Sequence, residues 1–428
     1  MCHKKWIYEI PYMLLAGIII FFLITHSPNY QQYDAPGYIN FSVIRPPIYP
    51  IFLWLFHWAG HYQFILVMWL HAIITFVALL YARSWLKKKL KIADFLIFVV
   101  FLFVILTICF HFQLIMIGSE GLTFPLFILI FFKLIECFKN FGLKKIAGLS
   151  ALVSILILTR LQFYYLYGIY ILLCGWYFYK RVPIKPLTIA IMILLVSFLL
   201  TLLIDKSYHY FKNGDFSGAP TTGLMLVTQP IFLTTNNKVV NYFNDPKEKK
   251  YLHEILVGMD KLKLNKEADL LNTTKPSHYQ FAYEEYNKNY TTLNNLAAQV
   301  LLTKTPTESN AISQDIAKTL FLHEPKKNLF FVLWKFIVFM GGIPTLLFFV
   351  ILTSGIFVNI LRNKNRELSY EQLFVALFVI ITYMNSAVIA VFQMNSAPYF
   401  CYTQFLFYCF AAYITDRIFL ILRVIPEI

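Results

Sequence analysis

The sequence predicts an all-α polytopic membrane protein with about ten transmembrane helices, and three observations carry that prediction. Of 428 residues, 59% are hydrophobic and only 14% charged, with a mean hydropathy of +0.62; soluble domains carry about 25% charged residues. The apolar residues fall in continuous runs of about 17 to 25, the length that crosses a hydrocarbon core of about 30 Å as a helix. No run alternates apolar with polar over about ten residues, as a barrel strand would. Lipid offers the backbone no hydrogen-bond partners, so helices are the remaining architecture.

Spans are read at 11–26, 64–82, 94–116, 121–138, 145–158, 162–179, 186–204, 329–352, 372–392 and 398–421. The first run ends at His26 without a small-residue cleavage site, so it reads as a span rather than a signal peptide. Residues 46–60, with Pro46, Pro47, Pro50, Trp54 and Trp58, are too short to cross and predict a helix lying in the membrane interface. That helix belongs to a first outer loop, 27–63.

The formal net charge is +15. A soluble protein so basic would suggest nucleic acid; here positive cytoplasmic loops absorb the excess. With the N-terminus inside, 19 of the 22 Lys and Arg outside residues 205–328 fall on the cytoplasmic side. They include Lys4, Lys5, Arg83, Lys87 to Lys89, Lys144, Lys145, Lys180, Arg181, Arg362, Lys364 and Arg366. Both termini are then cytoplasmic. Residues 205–328, with 15 Lys, 13 acids and no Arg, lie outside. Helical apolar spacing at 246–271 (Leu252, Ile255, Leu256, Met259) and 279–302 (Leu293, Leu296, Val300) predicts a small, mostly helical extracytoplasmic domain. It divides a transmembrane region, 1–204, from a C-terminal one, 329–428.

Five charges break the inside rule or stand alone outside: Asp34, Arg45, Glu120, Arg160 and Lys335. Charges at the membrane edge are costly and tend to mark function. A carboxylate can serve as a general base, arginines grip phosphate oxygens bidentately, and Lys335 can snorkel toward the same head group. The competing reading is ordinary loop charge, with Asp34–Arg45 a surface pair of little worth. The context favours a site: Asp34-Ala-Pro-Gly-Tyr38 and Arg45-Pro-Pro-Ile-Tyr-Pro50 place acid and base on a constrained loop.

These segments resemble the GT-C superfamily of polyprenyl-phosphate-sugar glycosyltransferases, which includes protein O-mannosyltransferases and aminoarabinose transferases. The resemblance rests on Asp34 with Gly37-Tyr38, on Arg45 to Tyr49, on Ser119-Glu120-Gly-Leu122, and on Leu158-Thr159-Arg160. It covers residues 1–204. It implies an inverting transfer of a sugar from a polyprenyl-phosphate donor to a lipid, glycan or protein acceptor, with Asp34 as base. Arg45, Arg160 and Lys335 would hold the donor phosphate. Apart from the resemblance, the chain's many Phe and Tyr read mostly as lipid contacts and interface anchors, with Tyr38 or Tyr49 as candidates for stacking on the sugar. Glu120 would position the acceptor, or a divalent cation in members that use one; no other cofactor is implied. Two departures are Leu161 in place of the family's proline, and Gln393 to Tyr399, where relatives carry an Arg-Tyr pair.

The alternatives are an O-antigen polymerase or ligase, or a lipid or glycan transporter. The former relies on outer-loop arginines, which 205–328 lacks; the latter usually shows midplane charge pairs or an internal repeat. His26, His57, His61 and His111 read as helix ends or head-group contacts. Asn40, Asn272 and Asn289 head sequon-like triplets of little weight. The expected location is a bacterial inner membrane.

Overall fold

The computed structural model describes residues 9–31, 34–214, 216–220, 222–235, 237–266, 268, 271, 275–301, 305–362, 367–394 and 397–424. Among them every regular element is helical, and the one β-type contact is an isolated parallel bridge between Asn29 and Met116. Lys4, Lys5, Asn272, Lys364 and Arg366 lie outside the described residues. Among the described residues seven helices are long and apolar enough to cross a membrane: His57–Leu90, Asp94–His111, Glu120–Lys139, Ile184–Lys212, Ile343–Arg362, Tyr370–Phe392 and Ala397–Leu422. Several such helices in one chain fit a multi-pass integral membrane protein.

The chain forms two compact units, Met1–Ile204 with Ile351–Thr382 and Ala397–Ile428, and Asp205–Val350 with Tyr383–Ser396. The helices of the first are α1 (Ile10–Thr25), α2 (Ala35–Ile39), α3 (Ile48–Trp54), α4 (Gln63–Trp85), α5 (Asp94–Val104), α6 (Glu120–Lys139), α7 (Leu143–Thr159), α8 (Leu166–Tyr179) and most of α9 (Ile184–Asn213). Helix α6 is its hub. It is mostly buried, whereas α9 is mostly exposed, because Phe124, Phe127, Ile128, Phe131 and Phe132 make it apolar all round. Helix α4 presents Val67, Met68, His71, Thr75, Ala78 and Leu79 on one face, at helical spacing. The His71 ring fills the space left by Gly121, where a Cβ would stand 2.3 Å from it. At the other end of α4, Arg83 joins three helices: its guanidinium lies 2.7 Å from Asp94, 2.6 Å from Glu9 and 3.7 Å above the Tyr12 ring.

The second unit contains α10 (Thr222–Leu233), α11 (Pro246–Leu262), α12 (Pro276–Leu301), α13 (Pro306–His323) and α14 (Pro325–Phe339). The Asp245 side chain caps α11 by accepting from the Lys247 amide at 2.8 Å. The apolar stripe Leu252, Ile255, Leu256 and Met259 is buried, as its spacing predicts. Helices α10 and α13 approach closely at Gly223, whose amide donates to Asn310 Oδ1 at 2.7 Å. A Cβ there would meet the Asn310 carbonyl at 2.1 Å.

The span expected at 329–352 is corrected. Helix α14 ends at Phe339, Gly341 and Gly342 turn through φ 91° and 86°, and α15 (Ile343–Arg362) begins afresh. Two consecutive left-handed residues interrupt a helix, and glycine is the residue that adopts them without Cβ strain. Lys335 therefore lies in α14, outside the helices long and apolar enough to cross. The chain closes with α16 (Tyr370–Phe392) and α17 (Ala397–Val424).

Candidate functional site

The loop between α1 and α3 folds back on itself to bring Asp34 and Arg45 together. Asp34 is the N-cap of α2 yet makes no side-chain capping bond, so its carboxylate is left for another partner. Pro36 starts the short helix, and the chain returns through Phe41 at φ 51° and the hydrogen bonds Ser42 N to Gly37 O and Arg45 N to Ser42 O. Arg45 Nη2 then donates to Asp34 Oδ1 at 2.6 Å. The guanidinium packs on the Tyr38 ring, 4.7 Å from its centroid.

Asn29 pins this loop to the segment before α6. Its amide donates to the Ile115 carbonyl at 2.7 Å, and its carbonyl accepts from Ile117 N at 3.0 Å. Tyr38 Oη consequently reaches Ser119 Oγ at 3.1 Å. Burial pushes the Tyr38 phenol up, so it stays neutral and donates. Ser119 and Glu120 open α6. Arg160, extended at the C-cap of α7, pairs with Glu120 and donates to Ser119 Oγ at 3.3 Å. Its Nε meets Gln162 Oε1 at 3.1 Å, and its Cζ lies 4.7 Å over the Tyr399 ring. Gln162 in turn donates to the Tyr399 carbonyl at 3.1 Å.

Four of the five singled-out charges therefore form one constellation: two carboxylate–arginine pairs joined through Tyr38 and Ser119. They differ in setting. Asp34 is 55% and Arg45 20% exposed in side chain, whereas Glu120 and Arg160 are 14% and 11% exposed. The outer pair meets solvent and is cheap to open. Separating the inner pair would strand a buried charge.

Lys335 is not part of this constellation. It lies in the second unit, fully buried, with Nζ 3.1 Å from Gln229 Oε1 and 4.7 Å over the Tyr286 ring. Burial pulls its amine down to about 7. The expectation that it snorkels to a head group is corrected: its amine points into a core. Tyr38 and Tyr49 are corrected likewise. They are 3% and 0% exposed and pack edge to face, 4.9 Å apart, in an apolar cluster with Ala35, Leu53 and Leu122. Neither ring offers a free face to a sugar; Tyr38 instead carries Arg45 and fixes Ser119. Glu120 is engaged by Arg160, which does not fit a cation ligand in this arrangement. Among the described residues no three His, Cys, Asp or Glu side chains converge on a metal position.

Tyr399 and Gln162 were missed as site residues. The only signal was the absence of arginine beside Tyr399; the structure supplies a guanidinium there from Arg160, far away in sequence. No protein-family model, curated protein or solved structure matches the chain.

Proposed function

We propose that the chain is an inverting glycosyltransferase that moves a sugar from a polyprenyl-phosphate donor to a lipid, glycan or protein acceptor at the outer membrane face. The observation that carries this reading is the linked pair of carboxylate–arginine contacts at the start of α6. Asp34, the more exposed carboxylate, takes the proton from the acceptor hydroxyl or amine. The acceptor atom bonds the anomeric carbon as that carbon's bond to the phosphate oxygen breaks. The lipid phosphate leaves with the bond's electron pair, and Arg45 and Arg160 neutralise its charge. Glu120, through Arg160, orients the phosphate grip.

In this reading α1, α7 and α8 cross the membrane along with the seven longer helices, making ten passes, with α15 as the eighth. Helix α3 and the turn after it lie in the interface, with Trp54, Leu55 and Trp58 exposed and Tyr49 and Leu53 turned inward. The distribution of Lys and Arg supports an orientation with both termini in the cytoplasm and the second unit on the other side, which in this reading is the periplasmic side of a bacterial inner membrane.

Mass spectrometry of glycolipids and surface glycans tests the function, comparing cells with the gene, without it, and with Asp34→Asn. A sugar that disappears with the gene and with Asp34→Asn, at equal membrane levels of protein, supports transfer. An unchanged glycan profile on deletion refutes it.

A further inference from the structure

The pairing of Asp34 with Arg45 conflicts with the roles just given to them. A base held by an arginine is a poor base, and the Nη2 that Asp34 occupies is not open to a phosphate. The geometry of Arg45 resolves the conflict. Its guanidinium offers two parallel donors along one edge, Nε and Nη2, the fork that binds an oxyanion bidentately. Asp34 uses only Nη2, through Oδ1. Nε is buried and, among the described residues, has no hydrogen-bond partner, although a buried donor left unmade costs free energy. The same edge faces Gly37: a Cβ there would stand 2.9 Å from Nε and 3.5 Å from Nη2. Glycine therefore keeps a side chain off the edge that any other residue would cap.

Resting on the transferase reading above, we infer that the Nε–Nη2 edge of Arg45 is an oxyanion slot that Asp34 half-occupies until a phosphate displaces it. An incoming phosphate satisfies both donors, Asp34 loses its arginine partner, and the freed carboxylate becomes the base. Donor binding thus switches on the base, and the reaction order is donor before acceptor. The exchange uses the outer pair because Asp34 is half exposed and can swing into water, whereas the Glu120–Arg160 pair is buried and keeps its place. Tyr38 holds the guanidinium flat while its partner changes.

Binding of farnesyl phosphate to the purified full chain in detergent tests the exchange, with farnesol as the control for the chain alone. Arg45→Ala is expected to lose the phosphate-dependent part of binding. Gly37→Ala is expected to weaken it several-fold, with its melting temperature checked for folding. Asp34→Asn removes the competitor and is expected to bind about two- to five-fold more tightly, the factor a partly exposed ion pair contributes. If Arg45→Ala loses binding but Asp34→Asn binds equally or less tightly, the exchange is overturned while the anion site stands. If Arg45→Ala binds as wild type does, the anion site itself fails and the exchange with it.

Discussion

Replacing Lys335 by methionine should change how the stability of the second unit depends on pH. The amine is pulled down to about 7 in the folded protein because it is fully buried, with Gln229 and the Tyr286 face as its neighbours. In the unfolded chain it returns to its ordinary value of 10.5. Below pH 7 both states hold the proton, and the folded state bears the whole cost of a buried charge. Above pH 7 the folded state releases the proton while the unfolded state keeps it, so stability rises with pH. The difference of about 3.5 units corresponds to at most about 5 kcal/mol at 1.36 kcal/mol per unit. Between pH 7 and 9 the gain is about 2 kcal/mol. For a unit of this size that is about 6 °C in melting temperature. Lys335→Met lacks the titrating group and should lose this increment. The assay is thermal melting of both proteins in detergent at pH 7, 8 and 9, read as the difference between them, which cancels other titrating groups. Wild type should gain on the variant by about 6 °C across the range. Melting curves that stay parallel would show that Lys335 is not held in an apolar core, and the correction of its role would fail with that result.

Two further outcomes test the architecture around the site. Gly121→Ala should destabilise the first unit by roughly 1–3 kcal/mol through collision with the His71 ring. His71→Ala should recover much of that loss in the double variant; additive melting shifts would rule out the contact. Glu120→Gln leaves Arg160 buried without a counter-charge and should cost roughly 3–5 kcal/mol. Asp34→Asn, at an exposed pair, should cost no more than about 1 kcal/mol. Equal melting losses in these two variants would contradict the division into an inner and an outer pair.

The candidate site was partly legible because its outer half is local. Asp34 and Arg45 are eleven residues apart in one loop, and prolines and a glycine limit how that loop can turn. Glu120 and Arg160 stood out because charge is scarce at a membrane edge, yet nothing in their spacing says that they pair with each other. The failures have one cause. Lys335, Tyr38 and Tyr49 were assigned by residue type and neighbourhood, and each proved to be buried, in part by residues distant in the chain. An amphipathic side chain reads the same in sequence whether its polar end meets solvent or a neighbouring helix.

By itself, the sequence determined the solvent and the secondary structure. Long apolar runs cannot be hydrated, and in lipid they must close their own hydrogen bonds as helices. Local chemistry also contained the break after α14, where Gly341-Gly342 was visible though unused. The tertiary structure alone decided partnership: that Arg160 meets Glu120 and Tyr399, that Asn29 ties the first loop to α6, and that Gly37 keeps a side chain off one edge of Arg45. Those facts depend on how side chains pack across elements tens to hundreds of residues apart. Hydropathy and charge counting are sums over short windows and carry no record of which helix lies beside which.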